Sequence, residues 1–181
     1  MGIVAVILSA VLPLWGIVIF NLLVRDRNRV AAAWSDVDVQ LKRRHDVIPK
    51  LVETVKQYAR YERGVLERVV AGRTQALSAS TPAQKGGSEA TLGRDLRRLI
   101  AVAEAYPEIK ANQGFLDLLH NLSAIEDHIQ HARRYYNGTV NNLNTRVDSV
   151  PDMIVARGFG FRPAEYFELD RPEEAQPPED R

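Results

Sequence analysis

The feature that most constrains this chain is an uncharged stretch at its start, MGIVAVILSAVLPLWGIVIFNLLV, residues 1–24. About 20 mostly apolar residues are enough for an α-helix to cross the hydrocarbon core of a bilayer. Pro13 and Gly16 are compatible with such a helix, because apolar surroundings hold it together despite one lost hydrogen bond. The stretch therefore predicts a transmembrane anchor over residues 1–24.

A cleaved signal peptide is the alternative interpretation of this stretch. Such a peptide carries a basic segment, a shorter apolar core and a cleavage site flanked by small residues. Here only Met1 and Gly2 precede the apolar run, and a helical pattern follows it directly. We favour a retained anchor.

The charges beside the anchor predict its orientation. Arg25, Arg27 and Arg29 follow the apolar run, and no charged side chain precedes it. Because basic residues stay on the cytoplasmic side, the pattern predicts a single-pass protein of the inner cell membrane with its N-terminus outside and its helical domain in the cytoplasm. Trp15 and the three arginines are then expected at the membrane interface, in contact with lipid.

Composition excludes several classes of protein. The 24 basic and 23 acidic residues give a net charge of +1, whereas a nucleic-acid binder needs an excess of cations. The chain contains no cysteine, which excludes disulfides, thiolate metal sites and cysteine nucleophiles. A length of 181 residues suits one compact domain with small appendages.

The first soluble helix is expected to continue the anchor without a break. Its apolar residues recur at helical spacing and form one face. Pro49 is poorly suited to a helix interior but welcome in a first turn. We therefore predict that this helix ends near Arg44, that a tight reversal capped by Asp46 follows, and that a second helix begins near Val47. The apolar face comprises Val30, Trp34, Val37, Leu41 and Ile48.

Three further helices complete the predicted domain. Leu51 to Val69 belongs to the second helix, and the small, polar run 77–90 is predicted to be an exposed loop. Leu92 to Tyr106 forms the third helix, and the stripe from Phe115 to Val147 forms a long fourth helix. The expected fold is all-α, an N-terminal transmembrane helix continuing into an antiparallel up-down four-helix bundle over residues 25–147.

The C-terminal residues divide into an aromatic segment and a polar tail. Residues 148–170 are rich in aromatics and contain arginines, so they are expected either at the lipid headgroups or folded back on the bundle. We favour the second. Residues 171–181 have no apolar anchor and are expected to be disordered.

Two kinds of polar residue are candidates for a site. Glu62 falls on the apolar stripe of the second helix, where a carboxylate must be paired, protonated or turned to the edge. We favour a glutamate at the edge of the seam, bonded to an arginine or tyrosine of a neighbouring helix, over a functional acid, and a buried polar group is the alternative. His120, His128 and His131 share an arc of the fourth helix, but a di-iron bundle needs Glu-x-x-His twice and two more glutamates. They are weak metal candidates, and we expect no metal and no cofactor.

Recognisable catalytic motifs were not found in the sequence. His45 and Asp46 are adjacent on a predicted turn, an unfavourable placement for a dyad, and no serine or lysine has a nucleophile setting. The AGRT run at Ala71 lacks the strand, loop and helix of a phosphate-binding loop. We therefore expect a protein that is not an enzyme.

Four segments resemble the LemA family. They are the run from Asn21 to Ala59, LIAVAEAYPEIKANQGFLDL, ARRYYNGTVNNLNTRV and the closing GFGFRPAEYFEL. The resemblance implies a bacterial single-pass membrane protein with an antiparallel helical bundle, and it brings no established activity, cofactor or catalytic residue. A relative in magnetosome-forming bacteria is associated with making membrane compartments, which is an analogy for a membrane-organising role.

These observations favour a non-enzymatic scaffold anchored in the cell membrane. It would self-associate into a homo-oligomer or bind other membrane or cytoplasmic proteins, but not nucleic acid. The expected partner surface is the basic run Lys42, Arg43, Arg44 and His45. A metal-binding or hydrolytic bundle using the histidines, and a peptide- or lipid-binding groove, are the alternatives.

Overall fold

A computed structural model describes residues 2–59 and 61–168 of the protein, with side chains placed from residue 13 onward. The described residues form helices and connections without a β-strand, so the predicted all-α class is confirmed. The predicted disordered tail, 171–181, lies outside the described residues. The helices are α1 (Gly2–Tyr58), α2 (Arg63–Ser78), α3 (Pro82–Glu104), α4 (Pro107–Lys110), α5 (Gln113–Asp148) and α6 (Asp152–Gly158).

Helix α1 runs through Pro49 without a break, so the predicted reversal at residues 45 and 46 is wrong. A proline inside a helix has no N–H for the carbonyl four residues earlier, here that of His45. The guanidinium of Arg73 supplies the missing donor, because its Nε lies 2.9 Å from the His45 oxygen. A long-range hydrogen bond thus replaces the local one, and the helix continues.

The connection after α1 includes residues 59, 61 and 62. Backbone N–H groups of Ala59 and Glu62 donate to the carbonyls of Val55 and Ala59 respectively. Helix α2 then begins at Arg63 with Glu62 in the N-cap position. Tyr58 and Val65, which the pattern placed on one helix, therefore belong to two.

Helix α3 begins ten residues before Leu92, at Pro82, so the predicted loop over 77–90 is wrong. The Thr81 hydroxyl accepts from the backbone N–H of Gln84 at 3.3 Å, and Pro82 occupies a first-turn position that needs no donor. Gly86 lies inside the helix, where a Cβ would clash with the backbone of Glu168. Gly86 therefore marks a position of close backbone packing and does not interrupt the helix.

Helix α5 confirms the prediction of a long fourth helix almost to the residue. It spans Gln113–Asp148, and the short helix α4 lies in the connection before it. The apolar stripe predicted the buried face correctly. Its buried members are Phe115, Leu122, Ile125, Ile129, Tyr136, Val140, Leu143 and Val147.

The chain divides into two compact units, each made of two chain segments. The first unit comprises residues 1–38 and 131–165, and the second comprises residues 39–130 and 166–181. The core of the first unit joins residues of α1, α5 and α6, with Phe161 and Ala164 packed against it. Its buried members are Ile19, Leu23, Leu143, Val147 and Ala156.

The core of the second unit takes apolar side chains from α1, α2, α3, α4 and α5. Ile48 and Leu51 come from α1, Leu66 and Val69 from α2, and Leu92, Leu96 and Leu99 from α3. Ile109 of α4 and Phe115 and Leu122 of α5 also belong to it. The C-terminal half of α1 is therefore one helix of a shared helical core.

Candidate functional site

A cluster of charged side chains, the buried Arg44, His45 and Glu89 together with the partly exposed Glu126, lies in the second unit and is here called the sealed cluster. Arg44 is 2% exposed, His45 is 5% exposed and Glu89 is fully buried. Arg44 Nη1 donates to Glu89 Oε2 at 3.2 Å. His45 Nε2 lies 2.7 Å from the other oxygen, Glu89 Oε1. The carboxylate of Glu89 on α3 thus contacts two basic side chains of α1, those of Arg44 and His45.

Glu126 of α5 brings a second carboxylate to the sealed cluster. Its Oε1 lies 3.0 Å from Arg44 Nε, so the two carboxylates hold different nitrogens of one guanidinium. Burial raises the pKa of Glu126 above its ordinary value, the Arg44 charge lowers it, and the Glu89 charge raises it further. Gly93 leaves room for the guanidinium, because a Cβ there would lie 3.0 Å from Arg44 Nη2.

The geometry of the sealed cluster indicates a structural role. Removing one partner of a buried pair leaves an uncompensated charge. The cluster therefore favours the packing that brings Arg44 to Glu89 over arrangements that separate them. Ser88, the neighbouring hydroxyl, is engaged by the backbone carbonyls of Gln84 and Lys85. The Ser88 hydroxyl therefore donates to the backbone of its own helix.

A second group of charges, Asp26, Arg146 and Asp152, lies in the first unit and is here called the open cluster. Arg146 Nε donates to Asp26 Oδ2 at 2.7 Å, and Arg146 Nη1 donates to Asp152 Oδ2 at 3.0 Å. The hydrogen bond that Arg146 donates to Asp26 raises the pKa of the guanidinium, which stays charged. One arginine of α5 thus joins α1 to α6.

The residues predicted at the membrane interface are all exposed. Trp15 is partly exposed on α1, and Arg25, Arg27 and Arg29 are exposed beyond it. The Arg27 guanidinium lies over the Phe161 ring, 5.4 Å from its centroid. Within the part of the chain whose side chains are described, no helix is long and apolar enough to cross a membrane. The first half of the predicted anchor, residues 1–12, lies outside that part.

The predicted partner surface is divided by the structure. Lys42 and Arg43 are exposed, but Arg44 and His45 are buried in the sealed cluster and form no part of a surface. The reason is geometric, since successive residues of an α-helix lie 100° apart and a run of four covers more than one face. The interpretation of His45 and Asp46 as a capped turn is also wrong, because both residues lie within α1.

Glu62 is not the buried carboxylate. It is partly exposed at the start of α2, and Glu89 occupies the interior instead. The same signal was available, because Glu89, Leu92, Leu96 and Leu99 follow one helical stripe. Glu89 was missed because it fell in the segment assigned to a loop.

The candidate metal ligands do not converge. His120, His128 and His131 are all exposed on α5, and His131 Nδ1 lies 3.0 Å from Arg134 Nη2. Among the described residues, no three histidine, aspartate or glutamate side chains are grouped so that they could hold a metal ion. The di-iron analogy finds no support in this geometry.

Comparison with known proteins places these observations in a family. A model of the LemA family matches residues 33–179. The chain belongs to the LemA family. The resemblance seen in the sequence is thereby confirmed, and the match includes both carboxylates and both basic residues of the sealed cluster.

Curated relatives of this LemA-family chain include magnetosome proteins. Magnetosome protein MamQ 2 of Paramagnetospirillum magneticum is 26% identical, over 82% of this chain and 64% of the relative. Magnetosome protein MamQ of Magnetospirillum gryphiswaldense is 24% identical with the same coverage. Protein LemA of Metamycoplasma hominis is 26% identical, over 70% of this chain and 58% of the relative. The chain thus spans under two thirds of these relatives.

Proposed function

We propose that this LemA-family protein is a non-enzymatic helical scaffold anchored in the cell membrane. The observation that carries the proposal is the continuity of α1, which has no charged side chain from Gly2 to Val24 and whose last residues build a helical core. Leu14, Ile17 and Val18 are 62%, 57% and 57% exposed on this helix. Such a contiguous apolar surface favours contact with lipid or protein over contact with water.

The relatives support a structural role at a membrane compartment. Three matched relatives are named magnetosome proteins, and a scaffold that organises membrane would suit relatives of that kind. The proposal includes an up-down bundle made by the C-terminal half of α1, α2, α3 and the N-terminal half of α5. These four segments share one core, which supports that arrangement.

Membrane anchoring is tested by fractionation of cells that produce the full chain. We expect the protein to stay with membranes after alkaline carbonate extraction. Replacing Leu14, Ile17 and Val18 together by aspartate should release it, because charged side chains are costly inside a bilayer. Val70→Asp with Leu77→Asp is a matched control, since both residues are exposed apolar side chains of α2. Release of the wild-type protein by carbonate would refute the anchor.

The proposed orientation places the helical units in the cytoplasm, beside the arginines that follow the anchor. A fluorescent protein or an alkaline phosphatase fused after Arg181 reports the side directly. We expect the fluorescent fusion to fold and the phosphatase fusion to be inactive. An active phosphatase fusion would overturn the cytoplasmic orientation while leaving the anchor intact.

Self-association into a homo-oligomer is part of the scaffold proposal. The exposed residues Lys42 and Arg43 of α1 are the proposed contact surface. Because the chain has no cysteine, Arg43→Cys gives a single cross-linking position, with Tyr61→Cys as an exposed control. We expect bismaleimide cross-linking in membranes to yield a dimer at position 43 in excess over position 61. Monomer alone at position 43 would count against this surface.

A groove in the second unit favours a second candidate function, the binding of a peptide or lipid tail. It has a volume of about 800 Å³ and lies between α1 and α2, with apolar walls from Val52, Leu66 and Val70. Charged residues at its edges include Glu53 and Lys56. Mass spectrometry of molecules that co-purify with the wild-type protein and are lost from Val70→Arg would support this function. Identical spectra from the two proteins would refute it.

A further inference from the structure

We infer that Val150, Ile154 and Phe159, here called the α6 apolar face, bind the surface of an anionic phospholipid bilayer beside α1. The inference rests on the proposed anchor and extends it, because it assigns a second membrane contact more than 120 residues further along the chain. These side chains are 72%, 66% and 68% exposed. Their exposure is unusual, since they belong to a segment whose other side is packed in a core.

Helix α6 has two distinct sides. Ala156 is fully buried in the core of the first unit, and Val155 packs against that core. Ile154 lies one position before Val155 and two before Ala156. A rotation of 100° per residue turns its side chain away from that core and toward solvent. Val150 precedes the helix and Phe159 directly follows its last residue, and both side chains are exposed. The helix is therefore fixed by one side and presents an apolar surface on the other.

The end of α6 places two phenylalanines differently. Gly160 has φ of +72°, a left-handed conformation that favours glycine. Its N–H donates to Arg157 O at 3.3 Å, and the N–H of Phe161 donates to Ala156 O at 2.9 Å, the two bonds of a Schellman motif. The motif packs Phe161 against the core that contains Ala156 and leaves Phe159 exposed.

The position of Phe159 along α1 identifies what covers the α6 apolar face. Its ring meets that of Phe20 with centroids 4.9 Å apart. At 1.5 Å per residue, Phe20 lies about 3–5 Å along the helix from the exposed Ile17 and Val18, and about 10 Å from Arg27. The α6 apolar face is thus level with the change from uncharged to basic residues on α1. If α1 enters a bilayer there, the face meets its boundary.

Charge selects an anionic surface over a neutral one. Arg157 and Arg162 of the C-terminal segment are exposed, as are Arg25 and Arg29 of α1. Arginines beside an apolar surface bind phosphate oxygens while the apolar side chains enter the headgroup boundary by about 5–10 Å. The α6 apolar face lies level with the change from uncharged to basic residues on α1. A lipid surface accounts for that coincidence and a protein partner does not, so the geometry favours lipid.

The experiment uses single cysteines in the full, otherwise cysteine-free chain, reconstituted in phosphatidylcholine vesicles with and without phosphatidylglycerol. Ile154→Cys and Phe159→Cys test the inference, Ile17→Cys reports the anchor, and Tyr61→Cys is a water-exposed control at 97% exposure. Each carries an environment-sensitive fluorophore, read by its emission maximum and by quenching from spin-labelled lipids. The positions under test are exposed, so labelling them leaves both cores intact.

We expect labels at residues 17, 154 and 159 to shift to the blue and to be quenched by spin-labelled lipid, while the label at residue 61 is unaffected. Without phosphatidylglycerol, quenching at residues 154 and 159 should fall and quenching at residue 17 should persist. A lipid-embedded label at residue 17 with water-exposed labels at 154 and 159 would overturn the inference and leave the anchor standing. Water exposure at residue 17 as well would overturn the proposed anchor and the inference with it.

Discussion

Each of the two charge clusters pairs one arginine with two carboxylates, but the clusters differ in their exposure to water. In the sealed cluster the side chains of Arg44 and Glu89 are 3% and 0% exposed, so every charge must find its partner within the protein. In the open cluster the side chain of Asp26 is 6% exposed, but those of Arg146 and Asp152 are 27% and 20% exposed, so water reaches these two. A buried charge that loses its partner keeps its desolvation cost, whereas a partly exposed one is rehydrated. The difference predicts an order of sensitivity to mutation.

The largest effect is expected from Glu89→Gln. The substitution leaves Arg44 and His45 without the full negative charge that both now face, and breaking such a buried pair costs about 3–5 kcal/mol. The measurement is the free energy of unfolding in urea, followed by helical circular dichroism. Glu104→Gln, an exposed change on the same helix, is the control. A loss equal to that of the control would show that the cluster is not sealed.

Asp26→Asn should cost less, because Arg146 keeps Asp152 and gains water. A hydrogen bond to a charged group contributes about 1.5–3 kcal/mol, and we expect a loss within that range by the same unfolding measurement. Asp36→Asn, exposed on α1, is the control. A loss larger than that of Glu89→Gln would reverse the comparison between the two clusters.

Arg73→Met tests how α1 passes through Pro49. It removes the donor to the His45 carbonyl, and an unsatisfied buried acceptor costs about 1–3 kcal/mol. In a Pro49→Ala background the new N–H supplies that donor locally, so Arg73→Met should cost less there. The double-mutant cycle of unfolding free energies gives the coupling. Equal losses in both backgrounds would show that Arg73 acts independently of Pro49.

The smallest effect is expected at Glu126, the sealed cluster's member nearest to solvent. Burial raises its pKa in the folded protein above the ordinary 4.5, so the folded state holds this proton more tightly than the unfolded state. Its stabilising contribution is complete below about pH 4.5 and is lost as the pH rises through the raised pKa. Relative to Glu126→Gln, the wild type should therefore lose stability over that interval. Stability gained over the same interval would contradict the sign.

The apolar pattern also contained information about the sealed cluster. Val37, Leu41, Ile48 and Leu51 leave one gap in their helical spacing, and Arg44 fills it. An arginine on an apolar stripe requires a buried partner. The pattern could not name that partner, because Glu89 is 45 residues away and lies on a helix that begins with proline and contains three glycines.

The sequence by itself determined the helical class, the bounds and buried face of α5, and the family. These properties depend on local spacing, and local spacing is visible in one chain. Only the tertiary structure decided where α1 ends, where α3 begins and which charges are buried. Each of these depended on a contact between distant residues: Arg73 with the His45 carbonyl, Gly86 with the backbone at Glu168, and Arg44 with Glu89. Such contacts override local preference because a distant residue pairs with a polar group that the local chain leaves unpaired, or fills the space that a local glycine leaves open.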